Sequence, residues 1–206
     1  MYLMDLHPSN SLTHFELFQR YDSSIGKTIS FRQVQLEEDL DRLHQWMHEP
    51  HVIPFWNLAI PREQYREHLC KFLADSHQTL YIGSLDGVPM SYWETYWAKD
   101  DILGKFYDFH PEDQGIHLLI GPPSFLGKGY IYPLLQTMTY HLFQHPQTEK
   151  IVAEPDIRNK KMIYVFQKCG FEFQKEIDLP DKRAALMYCY REPFLRSVSH
   201  GKIIYK

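Results

Sequence analysis

"HLLIGPPSFLGKGY", His117 to Tyr130, is an apolar run that passes through two prolines into a loop with glycines at positions 127 and 129. The next residues, "YIYPLLQTMTYHLFQH", place apolar side chains at helical spacing, with Pro133 in the first turn, where proline is tolerated. A strand feeding a Gly-x-Gly turn that opens a helix aims several backbone N–H groups at one point. The helix dipole adds partial positive charge there, so such a place suits a phosphate. Neither the eight-residue Walker pattern nor a GxGxxG dinucleotide fingerprint is present. Taken alone, the same residues also make an ordinary tight turn.

The rest of the chain reads outward from this loop as mixed α/β. "TISFRQV" (28–34) alternates as a strand, and "LEEDLDRLHQWMH" (36–48) spaces Leu36, Leu40, Leu43 and Met47 as one helix face, with acids in the first turns. Pro61 opens a second helix. "TLYIGSLDGVPMSYWETYW" holds two β-rich runs joined at Asp86-Gly87, the pair that best signals a tight hairpin. Residues 98–114 read as a long polar loop. After the glycine loop come a strand in "KIVAEP", a helix in "NKKMIYVFQKCGF" ended by Gly170, and two closing strands in "FEFQKEIDL" and "RAALMYCYRE". The reading divides the chain into an N-terminal arm (1–28), one domain (29–192) and a C-terminal tail (193–206).

Composition narrows the function classes. Of 206 residues, 44% are hydrophobic and 15% aromatic, which supports one sizeable core, and the net charge of −4 excludes the basic footprint that nucleic acid requires. No apolar run reaches membrane-spanning length, and no basic start followed by an apolar core marks a leader, so a cytoplasmic protein is expected. Three cysteines without CxxC spacing (Cys70, Cys169, Cys189) argue against a disulfide framework or a zinc ribbon. His44, His48 and His51 fall at i, i+4 and i+7, but Pro50 interrupts the helix and nothing completes a tetrahedron, so no metal is expected.

About thirty residues beyond the loop, "VAEPDIRNKKMIYVFQKCGF" brings a strand, an Asp, an Asn at a helix start and a closing Gly-Phe. With the glycine loop it resembles the acetyl-CoA core of the GNAT superfamily of acyltransferases. That family's loop reads Q/R-x-x-G-x-G/A; here Ser124 takes the first position, and Gly127 and Gly129 match. "HEPHVIPFW", "DGVPMSYWETY", "GIHLLIG" and "EPDIRNKKMIYVFQKCGF" are similar to the siderophore branch, the aerobactin-type N-hydroxylysine acetyltransferases and mycobactin-type lysine acyltransferases. The likeness runs from Phe31 to Arg191. It implies the GNAT fold, a mixed central sheet splayed between its middle strands with flanking helices. It also implies acyl transfer from acetyl-CoA or another acyl-CoA to a small amine or hydroxylamine, with a hydroxamate as product.

The resemblance assigns roles. Amides of Leu126, Gly127, Lys128, Gly129 and Tyr130 would cradle the pyrophosphate of CoA, Asn159 would cap its helix and contact CoA, and amides at Ile120 and Gly121 would polarise the thioester. His117, on the strand entering the cradle, would accept a proton as a neutral imidazole. Asp156 would orient His117, bind the acceptor or act as a second base; an Asx turn after Pro155 is the structural alternative. Phe166 stands where many members carry the tyrosine that protonates the departing thiolate. On the hairpin strand Tyr92, Glu94 and Tyr96 share one face, so Tyr92 and Glu94 are acceptor-pocket candidates, and Trp56 would wall the same pocket. Rival functions are acetylation of an aminoglycoside or other amine, and silent acyl-CoA binding.

Overall fold

The computed structural model describes residues 16–198. A single eight-stranded sheet runs in the order β1-β2-β3-β4-β5-β6-β8-β7. Its strands are β1 (Glu16–Asp22), β2 (Lys27–Gln33), β3 (Gln78–Leu85), β4 (Val88–Trp97), β5 (Gln114–Ile120), β6 (Lys150–Ala153), β7 (Glu172–Asp178) and β8 (Arg183–Tyr190). Helices α1 (Leu36–Met47), α2 (Ile53–Trp56), α3 (Arg62–Leu73), α4 (Ile131–Leu142), α5 (Lys160–Lys168) and α6 (Arg191–Val198) complete it.

Local chemistry explains most of these elements. The β3–β4 turn puts Asp86 at φ 50° and Gly87 at φ 76°, the left-handed pair that a two-residue hairpin needs. Helix α1 buries Leu40, Leu43 and Met47 and carries Glu37, Glu38 and Asp39 at its positive end. Pro61 is the N-cap of α3, one residue outside the helix rather than its first helical position. Asn159 accepts a hydrogen bond from the Met162 N–H (3.1 Å) and so caps α5, while Gly170 at φ 92° ends it. Two apolar clusters sit on opposite faces of the sheet. One lies beneath α1 and α3 and includes Trp46, Tyr65, Tyr92 and Leu119; the other lies beneath α4 and α5 and includes Trp93, Ile120, Leu134 and Phe166.

The sheet is held unevenly at its centre. Strands β4 and β5 are antiparallel and paired from Gln114 to Ile120, whereas the parallel β5 and β6 pair only at Gln114 with Ile151 and Gly115 with Val152. Beyond Gly115 the two strands diverge, which is the expected splay. The gap places the last part of β5 beside open space instead of another strand.

Both expected chain boundaries shift. Residues 16–22, read as part of an arm, form the edge strand β1, paired with β2 from Asp22–Lys27 to Glu16–Arg32. The tail from residue 193 is not free as far as Val198: it continues α6, whose Phe194 is 2% exposed, its ring tilted against that of Phe143 with centroids 5.5 Å apart. Residues 1–15 and 199–206 of the predicted arm and tail lie outside the described residues.

Gly121, at the end of β5, lies against an indole: a Cβ there would meet the Trp46 ring at 2.0 Å. Trp46 is 4% exposed and cannot step aside cheaply. Gly121→Ala should therefore lower stability by about 1–3 kcal/mol, the usual cost of overpacking, read as a shifted urea midpoint with an unchanged slope.

Candidate active site

Strand register places Glu94 on β4 directly opposite His117 on β5. His117 Nδ1 lies 2.9 Å from Glu94 Oε2, and His117 Nε2 meets Glu154 Oε1 from the segment that follows β6. Two phenols complete the set. Tyr92 O–H donates to Glu94 Oε1 (2.9 Å) and Tyr96 O–H donates to Glu154 Oε2 (2.7 Å), while Lys182 Nζ stands 3.5 Å from Glu154. The side chains of Glu94 and Glu154 are 7% and 4% exposed; that of His117 keeps 30%, on the side facing a cleft of about 400 Å³.

A neutral imidazole has one donor and one acceptor nitrogen, whereas two carboxylates ask for two donors. This arrangement therefore fits an imidazolium. Burial disfavours the charge on His117, but the attraction and hydrogen bonds of Glu154, then of Glu94, outweigh it and raise the imidazole's pKa. Burial likewise opposes ionisation of Glu154, yet His117, Lys182 and Tyr96 hold its carboxyl below the ordinary range. The arrangement thus favours an imidazolium between two carboxylates over the expected neutral proton acceptor.

Asp156 does not orient His117. Its carboxylate accepts from Arg158 Nε (2.9 Å to Oδ1) and Nη2 (2.6 Å to Oδ2), and its Oδ1 also takes the Arg158 backbone N–H at 2.8 Å, the Asx turn. Hydrogen bonds from Arg158, against a smaller effect of burial, hold the Asp156 pKa down. Asp156 still lines the cleft, but the position beside His117 belongs to Glu154, which the sequence reading passed over. A signal existed: in the extended "EPD" segment, residues 154 and 156 share a face.

The remaining candidates divide. Trp56 lines the cleft with its ring 6.4 Å from that of His117, edge to face, and 5.6 Å from that of Tyr92. Tyr92 is enclosed in the network, whereas Glu94 belongs to the network and also lines the cleft. Asn159, Met162 and Phe166 line the cleft, whereas Tyr164 is 52% exposed. The three spaced histidines each meet a different carbonyl: His44 that of Ile60, His48 that of His44 and His51 that of Ile120.

The glycine loop fits a phosphate group in most of its predicted parts. Gly127 (φ 72°) and Gly129 (φ 75°) have no atom within 4 Å of where a Cβ would stand. Among the described residues, the amides of Gly127, Lys128, Gly129 and Tyr130 donate to no protein acceptor, and they precede α4 directly. Leu126 is an exception because its N–H is given to the Pro123 carbonyl at 3.0 Å. Gly121 is another: its N–H donates to Met90 O (2.9 Å), so it cannot also polarise a thioester. Antiparallel alternation then turns the Ile120 N–H away from β4, to the open side where β6 has diverged. Of the two predicted strand amides, Ile120 alone faces the gap.

The clamp has a pH signature. With His117 raised, its contribution to stability is full below the ordinary imidazole value of 6.5 and fades as pH climbs towards the folded value. With Glu154 lowered, its contribution is full above 4.5 and is lost as pH falls below it. Glu154→Gln should lower stability by about 1–3 kcal/mol near pH 5–6, with a smaller difference in alkali. Urea unfolding of both proteins at several pH values reads this; a difference independent of pH would count against the clamp.

Residues 35–179 match the family described as Acetyltransferase (GNAT) domain. The chain is 34% identical to the N-hydroxyputrescine acetyltransferase of Acinetobacter baumannii, over 93% of this chain and 90% of that one. It is 33% identical to the N(6)-hydroxylysine O-acetyltransferase of Escherichia coli, over 89% of this chain and 58% of that protein. Among solved structures, the aminoglycoside acetyltransferase AAC(6')-Ib in complex with coenzyme A superposes with a TM-score of 0.76 at 29% identity, covering 83% of this chain and 99% of that one. The splayed sheet, the glycine loop before α4 and these likenesses have one source: the chain belongs to the GNAT acetyltransferase family and is an acyltransferase.

Proposed function

We propose that the protein transfers an acyl group from acyl-CoA, acetyl-CoA in the simplest case, to the nitrogen of a small N-hydroxylated amine, forming a hydroxamate. One observation carries this reading: the imidazole at the centre of the cleft lies hydrogen-bonded between two carboxylates, an arrangement that favours a cation over a free base. An alkyl amine is protonated at neutral pH and needs a strong base to become a nucleophile, whereas a hydroxylamine is less basic and much of it is already unprotonated. A site whose histidine is held as an imidazolium suits the second acceptor better. The names of the relatives, acetyltransferases of N-hydroxyputrescine and N(6)-hydroxylysine, support the same class.

In this reading the amides of Gly127 to Tyr130 bind the pyrophosphate, and Asn159, Met162 and Phe166 flank the thioester arm. The hydroxylamine nitrogen attacks the thioester carbon directly, since no GxSxG elbow offers a covalent route. Negative charge grows on the carbonyl oxygen, where the Ile120 N–H stabilises it, while His117 offsets the charge of the two carboxylates beside it. The nitrogen of the adduct is a far stronger acid than the free acceptor, so the Glu94 carboxylate suffices to take its proton. The C–S bond then breaks, the CoA thiolate leaves past Phe166 with no side-chain acid of its own, and the proton on Glu94 passes to water or to the thiolate. One hydroxamate and one CoA are the products.

Release of CoA thiol tests the reading, with acetyl-CoA and succinyl-CoA offered against N-hydroxyputrescine, N-hydroxycadaverine, N-hydroxylysine, their parent amines and kanamycin, and product masses checked. Turnover of one hydroxylated amine at least tenfold above its parent is expected; turnover of kanamycin alone would move the protein to aminoglycosides. His117→Ala should slow the reaction on that acceptor by about 100–1000-fold without abolishing it, since it leaves Glu94 and Glu154 unpaired beside the place where negative charge develops. An unchanged kcat/KM would remove His117 from the mechanism.

A further inference from the structure

Residues 49–60 join α1 to α3 by way of α2, and two contacts tie this segment to opposite sides of the parted sheet. On one side His51 Nε2 lies 2.8 Å from the Ile120 carbonyl, which alternation turns, like the Ile120 N–H, towards the open side of β5. On the other, Arg158 Nη2 donates to the Pro54 carbonyl at 3.3 Å, from the segment that continues β6. Only Val52 and Ile53 separate the two ties, so the segment is a strap across the gap and does not lie along one edge of it.

Packing holds the far end of the strap only weakly. None of the four residues of α2 is buried, and Trp56 merely borders the core beneath α1 and α3. Asn57, at φ 53°, then turns the chain away. The side chain of Arg158 is 71% exposed, yet its guanidinium is not free to swing. Its Nε and Nη2 both meet the carboxylate of Asp156, whose side chain is 6% exposed and whose Oδ1 also takes the Arg158 backbone N–H. An ion pair with one partner this exposed adds little to folding stability. What the planar fork does is hold a donor against the Pro54 carbonyl.

Phe55 and Trp56 line the cleft from this strap, and the Trp56 ring stands 6.4 Å from that of His117. We propose that Arg158 is a positioning residue: anchored on Asp156, it pins the strap across the gap and so fixes where Trp56 stands beside His117, which sets the fit of the acceptor. It touches no reacting atom, and it gives Asp156 a task other than orienting His117 or serving as a base. The proposal requires the acyl transfer that the family carries out and no particular acceptor.

Arg158→Lys keeps a positive charge opposite Asp156 but loses the planar fork that reaches both partners. With whichever amine the protein acylates, the variant should raise the acceptor KM about tenfold, with the KM for acetyl-CoA and the melting temperature unchanged. In a Trp56→Ala background the same substitution should cost less than about twofold, because the ring it positions is gone. An Arg158 that only balances charge or supports the fold predicts equal losses in both backgrounds, or none in either, and both results overturn the proposal. Hydrogen exchange needs no acceptor: the amides of Ile53, Phe55 and Trp56 should exchange about tenfold faster in Arg158→Lys, those of β4 and β5 at the parent rate. Unchanged exchange in the strap overturns the tie. If the strap loosens as expected but hydroxylated amines turn over no better than their parent amines or kanamycin, Arg158 keeps its role and the hydroxylamine reading fails.

Discussion

Two buried carboxylates facing each other across a parted sheet need a cation between them, and His117, hydrogen-bonded to both, is placed to be that cation. Glu94 arrives on β4 and Glu154 at the end of β6, from strands that do not touch, with His117 on β5 between them. Left unpaired, either carboxylate would pay the desolvation cost of an isolated buried charge. Paired, the three side chains join β4, β5 and the end of β6 above the point where β5–β6 hydrogen bonding stops. Tyr92 and Tyr96 use the remaining carboxylate lone pairs, which fixes both acids and the plane of the ring.

The splay and the clamp serve one chemistry. The open side of β5 leaves the Ile120 N–H facing the gap, and in the proposed reaction the same opening would take the thioester arm. The glycine loop lies at one end of this slot with four amides that, among the described residues, donate to no protein acceptor. In the proposed reaction His117 offsets the two carboxylates beside the place where negative charge would appear, and it is set there before the reaction begins, so no reorganisation is required of it.

Much of this was legible in the sequence where the cause is local. Asp86-Gly87 dictates its hairpin, Asn159 its cap, and the alternation of Tyr92, Glu94 and Tyr96 its shared face, because each depends on neighbours a few residues away. The edge strand β1 was hidden for a physical reason. Its inward positions include Arg20 and Asp22, which pair with each other at 2.7 Å while Arg20 reaches Thr137, so the face that packs on the core does not look apolar. Glu154 was hidden because its partner is 37 residues away and a Glu before a proline has many bland explanations. The spent amides of Gly121 and Leu126 could not be read at all, since each is consumed by a carbonyl that only the folded backbone brings near. Asp156 misled because its own Arg158, two residues on, satisfies it.

The central claim is that His117 is charged when the enzyme works. The direct measurement is the pH dependence of kcat/KM on a hydroxylated acceptor, corrected for the acceptor's own ionisation, from pH 5.5 to 9. A clamped imidazolium predicts a flat profile through the region near 6.5 where a free histidine base would titrate, with Glu154→Gln introducing a new inflection there. A rising limb near 6.5 in the parent protein that disappears in His117→Ala would show a neutral histidine acting as base and contradict the account.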